Sequence, residues 1–424
     1  MGGPEESPVR GDDDRKMASH ELTRCQQKAF DGACRNRMYL ITGPAGTGKT
    51  TLLNDLVQHF SSRRMHVLMA APTGKAAKRL EQVTGRRAQT IHRLLGYNGE
   101  EWQHNAENPI EADVVIVDEV SMCDVLLAYH LLSAIDFNCT RLILAGDHNQ
   151  LPPVGPGNVL RDILTHDLIP YTVLDEVVRQ AGPLRRNSLE VLNGRAVGLR
   201  KSDPVTSDWK VVTRYEDAED ALNFLLRLYQ RVFAERLGYD ILRDIQVLAP
   251  QHNGAVGVEN LNLALQAVIQ QKLFGRRIPP VKTNRRPPLY PGDKVMQIKN
   301  DYGIDVMNGH IGYVVESEPK EKRWVVDFED RGRVELDDQK IQRVVLAYAC
   351  TIHKYQGSEV PCAVCILHSS HSFMLHRNLA YTAVTRARNQ AVIIGDRKGI
   401  QRAVRIQKVD DRRTILDVTR GVVP

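Results

Sequence analysis

The sequence predicts an α/β protein of two parallel-sheet lobes, with a β-hairpin inserted in the first and a small β-barrel inserted in the second. Three observations carry this expectation. Short apolar runs beginning at Met38, Val67, Val114 and Leu142 alternate with helix-patterned segments, as in a parallel sheet with crossover helices. A second set of the same kind starts near residue 208, with WKVV, ALNFLLRLYQRVF and IQVLAP. Between residues 272 and 343 the pattern changes to short apolar/polar alternation with an Asn308-Gly309 turn, the signature of a small antiparallel barrel.

The expected divisions are a polar tail at 1–16, a first lobe at 17–180 with a hairpin at 96–110, a second lobe made of 181–271 and 344–424, and a barrel at 272–343. The tail, MGGPEESPVRGDDDRK, has no apolar core and reads as disordered polar sequence, not a secretory signal, with Met17 an alternative start. The chain has 424 residues, 42% hydrophobic and 25% charged, ordinary values for a soluble globular protein. No apolar run approaches the ~18 residues of a membrane helix. The net charge of +6 permits a nucleic-acid partner without arguing for one. Of seven cysteines only Cys362 and Cys365 are spaced C-x-x-C, inside a strand-like run, so reduced core thiols are expected and zinc is not. The expected setting is cytoplasmic or nucleoid-associated.

In the first lobe, ELTRCQQKAFDGAC forms one helical face, with Thr23 and Gln26 spaced as a capping box. Gln26 has two readings: that cap, or an amide pairing with an adenine base. The run MYLI then breaks into Gly43-Pro44-Ala45-Gly46-Thr47-Gly48-Lys49-Thr50, followed by Thr51 and an apolar helix. This strand, Gly-x-x-x-x-Gly-Lys-Thr loop and helix form a phosphate cradle: backbone N–H groups point inward, Lys49 reaches the β/γ-phosphates and Thr50 offers a hydroxyl to Mg²⁺. The strand from Val67 ends in Pro72-Thr73-Gly74-Lys75, where Thr73 either caps a helix or, with the helix N–H groups, holds a backbone phosphate. His92 and Arg93 follow, then Asn98-Gly99 beside Trp102, a turn signal for a projecting hairpin or a plain surface loop. The buried run DVVIV ends in Asp118-Glu119 where ligands bind in open α/β sheets; Asp118 suits the outer shell of Mg²⁺ and Glu119 the polarising of an attacking water. Gln150 closes another strand end, where a neutral amide would touch both γ-phosphate and water, and Arg179 follows a further short strand.

Taken in order, these stretches resemble the motif series of superfamily-1 helicases. LTRCQQKA is similar to their glutamine motif, GPAGTGKT to Walker A, APTGKAAKRL to motif Ia and VDEVSM to Walker B. GDHNQLPP resembles motif III, VVRQ motif IV, TIHKYQGSEV motif V and YTAVTRAR motif VI. The likeness runs over roughly 20–400 and is nearest the RecD-like branch, which includes short phage relatives such as Dda. It implies two RecA-like lobes, a Src-homology-type barrel, ATP and Mg²⁺ between the lobes, single-stranded and forked DNA as partner, a monomeric motor and 5′→3′ movement. It also favours the adenine reading of Gln26. Members of that branch usually carry a long region before the glutamine motif, which here starts almost at once, so the resemblance does not extend to a function housed there, such as docking to a nuclease partner.

The resemblance further implies an arginine finger aimed across the lobe interface at the γ-phosphate, Arg386 the first choice and Arg179 the second, and places Gly357 and Glu359 near the nucleotide. Thr73, Lys75, His92, Arg93, Trp102, Asn253, Thr351, His353 and Lys354 are the expected DNA contacts. Motif VI reads as one helix with Tyr381, Val384 and Arg388 on a face and Arg386 on another. Arg276, Arg277, Lys282, Arg285 and Arg286 either meet phosphates or form a solvated linker. The expected activity is ATP-driven translocation and unwinding. The rivals are translocation without strand separation, an RNA motor, a switch GTPase, which lacks an N-K-x-D motif here, and a non-catalytic binding module.

Overall fold

The computed structural model describes residues 22–175, 182–200, 203, 206–280, 286–301, 303–329 and 331–408. Arg179, Lys282 and Arg285 lie outside these residues. In the first lobe the strands are β1 (Met38–Thr42), β2 (Val67–Ala71), β3 (Gln89–Thr90), β4 (Val114–Val117), β5 (Arg141–Gly146) and β6 (Tyr171–Val173). They form one parallel sheet in the order β3-β2-β4-β5-β1-β6. Helices α1 (Arg24–Arg35), α2 (Lys49–Ser62), α3 (Gly74–Thr84), α4 (Ile91–Leu94), α5 (Val125–Ser133) and α6 (Val159–Thr165) connect and cover it. Helices on both faces explain why β4, VVIV, is apolar without alternation and wholly buried. Thr23 and Gln26 do form the capping box, Thr73 caps α3 and Asp124 caps α5.

The second lobe contains α7 (Pro183–Leu192), β7 (Trp209–Val212), α8 (Ala218–Arg231), β8 (Ile245–Ala249) and α9 (Val258–Phe274). The barrel strands β9 (Lys294–Gln297), β10 (Ile311–Glu318), β11 (Arg323–Phe328), β12 (Gly332–Leu336) and β13 (Val344–Leu346) interrupt it. It resumes with β14 (Ala349–Thr351), β15 (Val360–Ile366), α10 (Arg377–Val384), β16 (Ala387–Ile394) and α11 (Arg397–Arg405). Its sheet, β14-β8-β15-β16-β7, is again parallel, while the inserted sheet β12-β11-β10-β9-β13 is antiparallel. Cys362 and Cys365 sit three apart on β15, so one packs into each face of the sheet and both are fully buried.

Four expectations need correction. Residues 96–110 contain no paired strands. They are held by Asx turns at Asn98 and Asn105, whose side chains accept the amides two and three residues on. The run VVLAYAC does not all belong to the second lobe: Val344–Leu346 pairs with β9 of the barrel, and only Ala349–Thr351 joins β8. Motif VI is not one helix, because α10 stops at Val384 and Arg388 lies on β16. Thr385 ends the helix, its hydroxyl donating to the carbonyls of Tyr381 and Thr382. Finally, Arg276 and Arg286 do not sit in a solvated linker, since both are hydrogen-bonded within the second lobe and barrel. Arg276 donates to Gln270 and Pro291, and Arg286 to Gln342 and the carbonyls of Ile341 and Val344, fastening the barrel lead-in.

The barrel is bolted to α9 through a buried carboxylate. Asp293 accepts from Gln266 (2.6 Å), Gln270 (2.7 Å) and the Tyr348 hydroxyl (2.8 Å). Its loop also touches the first lobe, where Met307 and His310 crowd Gly74 and Arg93 stands 3.8 Å from Asp305.

Candidate nucleotide site between the lobes

The carboxyl ends of β1, β4 and β5 open onto a cavity of about 470 Å³ between the lobes. Its first-lobe wall is Ala45, Gly46, Gly48, Lys49, Thr50, Thr51, Arg79, Asp118, Glu119 and Gln150. Arg185 of α7, with Glu359, Arg386 and Arg388, faces them from the second lobe. Gly46 and Gly48 have φ of 89° and 79°, so the loop curls in a conformation that side-chain-bearing residues rarely adopt. A Cβ on Gly46 would also stand 2.9 Å from Arg185 Cδ. The Lys49 ammonium donates to Gly43 O (2.6 Å) and Pro44 O (3.0 Å), lying along the cradle. Thr47 Oγ1 donates to Pro44 O, which stiffens the same turn.

Asp118 and Glu119 form the acidic floor. Asp118 Oδ1 accepts the Glu119 N–H at 2.8 Å, and Glu119 sits at φ 55°, a left-handed conformation unusual for a side-chain-bearing residue. Burial pushes both carboxyl pKa values up, and the charge of Asp118 pushes Glu119 further. Lys49 and Arg79 draw both back down, and Arg386 does so for Glu119. Gln150 is 6% exposed; its Nε2 donates weakly to Asp147 Oδ2 (3.4 Å), while its buried Oε1 has no hydrogen-bond partner among the described residues. Arg386 is 2% exposed and held by Thr382 O, Ser358 O and Thr385 Oγ1. Glu359 takes an ion pair from Arg79 at 2.7 Å and another from Arg388 at 3.2 Å.

The expected residues do not all meet. Gln26 is buried behind the cradle, not in the cavity: Oε1 accepts from Thr23 and Nε2 donates to Thr47 O, so its amide braces the loop and is committed on both sides. Gly357 also lies off the cavity, packed against Thr73, Ala76 and Met122 with φ 75°. Sequence reasoning missed Arg79, Arg185, Asp147 and Tyr381. Arg79 is visible in the motif Ia stretch and Tyr381 in motif VI, but nothing in the sequence says that Arg185 comes over the loop.

A second cavity, of about 560 Å³, crosses the lobes at the strand ends beside motif V. Thr351 and His353 line it with Pro152, Val154, Gln251 and His376. Thr73 caps α3 and faces Gly357 from the first lobe, and Lys75 lies 5.2 Å over the Tyr355 ring. Burial lowers the pKa of Lys354. Asn253 is elsewhere, in a depression shared with Glu219 and Glu259, whose charge opposes a phosphate backbone. His92 and Trp102 do not line this second cavity either. Trp102 stacks on His130 (4.3 Å) and Tyr97 (4.4 Å), with His92 at 5.5 Å, and burial lowers the His92 pKa, leaving it neutral.

A phosphate cradle, a carboxylate pair at the next strand end and a basic second lobe define a P-loop nucleotide-binding protein of two RecA-like lobes. Comparison with known proteins agrees. An AAA domain model matches residues 26–156, the UvrD-like helicase C-terminal domain 346–394 and the ATP-dependent RecD-like DNA helicase SH3 domain 261–328. The chain is 36% identical over 409 residues to the ATP-dependent RecD2 DNA helicase of Deinococcus radiodurans, covering 96% of this chain and 53% of that protein. It is 28% identical to the RecBCD enzyme subunit RecD of Mycobacterium tuberculosis, covering 89% of this chain and 70% of the relative. The chain thus spans about half the length of the first relative. Bacteroides Pif1 helicase in complex with ADP-AlF3 and single-stranded DNA shares the fold, with TM-score 0.54 and 21% identity over 95% of this chain and 97% of that one. In its matched domains and in sequence the chain is similar to the RecD-like branch of the superfamily-1 helicases.

Proposed function

We propose that this chain is an ATP-dependent DNA motor that moves 5′→3′ on single-stranded DNA and unwinds duplex by closing and opening its two lobes. The observation that carries it is Arg386: a second-lobe guanidinium forms a wall of the same cavity as Lys49, Thr50, Asp118 and Glu119 of the first. One triphosphate held there would be gripped from both sides, and losing its last phosphate would change the lobe separation.

The residues fit a magnesium nucleotide. Thr50 and Asp118 are a sparse donor set, as expected for Mg²⁺, which keeps waters and takes phosphate oxygens instead of a full protein cage. Held by Thr50 and Asp118, the ion would supply positive charge that offsets the charge of the phosphates. Lys49 and the loop N–H groups would hold the phosphates, and Arg386 would face the γ-phosphate as an arginine finger, with Arg185 as a second cation. Glu119 would take the proton of the attacking water, and Gln150 Oε1 would orient it. Thr73 on one lobe and Thr351 on the other would hold backbone phosphates in turn, so stepping would not depend on sequence. A monomeric motor in the bacterial cytoplasm completes the reading. No helix among the described residues is long and apolar enough to cross a membrane.

The test is ATP turnover with single-stranded DNA or RNA, together with unwinding of forked duplexes bearing 5′ or 3′ tails. Stimulation by DNA and ATP-dependent opening of the 5′-tailed fork are expected; turnover indifferent to DNA would overturn the proposal. A second reading, translocation without strand separation, draws on the 96–110 loop, whose Trp102 is packed down on α5 and is not held out as a wedge. Movement without opening either fork would select it.

A further inference from the structure

Helix α10 belongs to the second lobe, yet three of its side chains grip the loop after β5 of the first. Asn378 Nδ2 donates to Asn149 O (2.8 Å), and Thr382 Oγ1 accepts from Leu151 N (3.0 Å). Between them, the Tyr381 hydroxyl donates to Asp147 Oδ2 (2.8 Å) and accepts the Ala45 N–H of the phosphate loop (2.6 Å). Tyr381 and Asp147 are both fully buried. Burial and the Asp147 charge push the phenol pKa well above its usual value, so the hydroxyl keeps its proton. The Ala45 amide can only donate, so the single O–H points at the carboxylate.

This fixes a third group. Asp147 Oδ2, which accepts from Tyr381, also accepts from Gln150 Nε2, so the amide turns its NH₂ toward the carboxylate. Its Oε1 is then turned away from Asp147 and lies buried at the cavity wall that Gln150 lines, with no hydrogen-bond partner among the described residues. The opposite amide orientation would set two acceptors against each other and aim a donor at the attacking water, which needs an acceptor.

We infer that Tyr381 is a positioning residue for hydrolysis: its hydroxyl holds Asp147 so that Gln150 presents its carbonyl oxygen, not its NH₂, to the water that attacks the γ-phosphate. The inference rests on the proposed ATPase reading and deepens it. Tyr381 and Gln150 come from different lobes, so the water-orienting group is set only when the lobes are together. A tyrosine that merely satisfied its own hydroxyl in the core would affect stability and leave Gln150 alone.

Tyr381→Phe keeps the ring and removes the hydroxyl. DNA-stimulated kcat should fall about tenfold to a hundredfold, while the KM for ATP stays within about twofold. Gln150→Ala should show a similar loss, and the Tyr381→Phe/Gln150→Ala double variant should be no slower than Gln150→Ala alone. Asp147→Asn, whose NH₂ competes with that of Gln150, provides an independent variant with the same expected split between kcat and KM. Unchanged kcat in Tyr381→Phe, or losses that multiply in the double variant, would overturn the inference while the wild type still turned over. A wild type without turnover would sink the ATPase reading itself, and this one with it.

Discussion

At the scale of single residues, the acidic floor of the cavity decides the chemistry. Glu119 must be ionised to take a proton from water, yet burial and the charge of Asp118 oppose ionisation, and Arg386 across the cleft favours it. The carboxylate form that can accept the proton is therefore favoured most when the second lobe is in place. Wild-type kcat should decline as pH is lowered, with a midpoint above the 4.5 of an ordinary glutamate. The sign for stability is opposite. A carboxyl whose pKa is raised on folding contributes stability below its unfolded pKa, and that contribution is lost as pH rises through the folded value. At pH near 7 the ionised pair is thus a burden on the fold. Glu119→Gln should lower ATP turnover by about 10²-fold or more, yet melt at a higher temperature than wild type near neutrality. That advantage should shrink toward acid, as thermal melts across pH would show. Lys49, Asp118, Glu119 and Gln150 were legible in the sequence because each stands in a stretch whose spacing matches a local geometry, and Arg386 through the likeness of its stretch to motif VI. Arg185 and the Tyr381–Asp147 pair were not, because their value depends on what another lobe brings to them.

At the scale of elements, the buried strands were legible because helices cover both faces of each lobe's sheet and leave uninterrupted apolar runs. Misreadings arose where one apolar or helical pattern serves two elements. VVLAYAC serves both the barrel and the second lobe, and α10 stops at Val384 although the helical pattern continues. The 96–110 loop is a different case, since its Asn-Gly signal is real but Asx turns, not ladder bonds, use it. What holds that loop is aromatic stacking of Trp102 on His130 and Tyr97. Trp102→Ala should therefore destabilise the first lobe by about 1–3 kcal/mol, seen as a lower denaturant midpoint. Turnover per folded molecule should not change, since no ring in that stack lines the cavity. Loss of turnover at full stability would show that the loop communicates with the nucleotide site after all.

At the scale of the whole molecule, the contacts by which the chain closes on itself include lobe on lobe at α10, barrel on second lobe at Asp293, and barrel loop on first lobe at Gly74 and Arg93. The last contact is the most informative for the proposed strand path, because it lies beside the Thr73 cap of α3. Arg93 and Asp305 are both largely exposed at 3.8 Å, so their pairing stabilises by no more than about 1 kcal/mol. An exposed guanidinium so weakly held is available to a phosphate passing between the barrel loop and the first lobe. Arg93→Ala should weaken single-stranded DNA binding and flatten its salt dependence by about one released counterion. Asp305→Ala breaks the same pair but leaves the cation, so affinity should hold or rise with the slope unchanged. Titration of a labelled single strand at several salt concentrations separates the two. If both variants bind equally weakly at an unaltered slope, Arg93 serves only to seat the barrel, and the strand takes another way across the lobes.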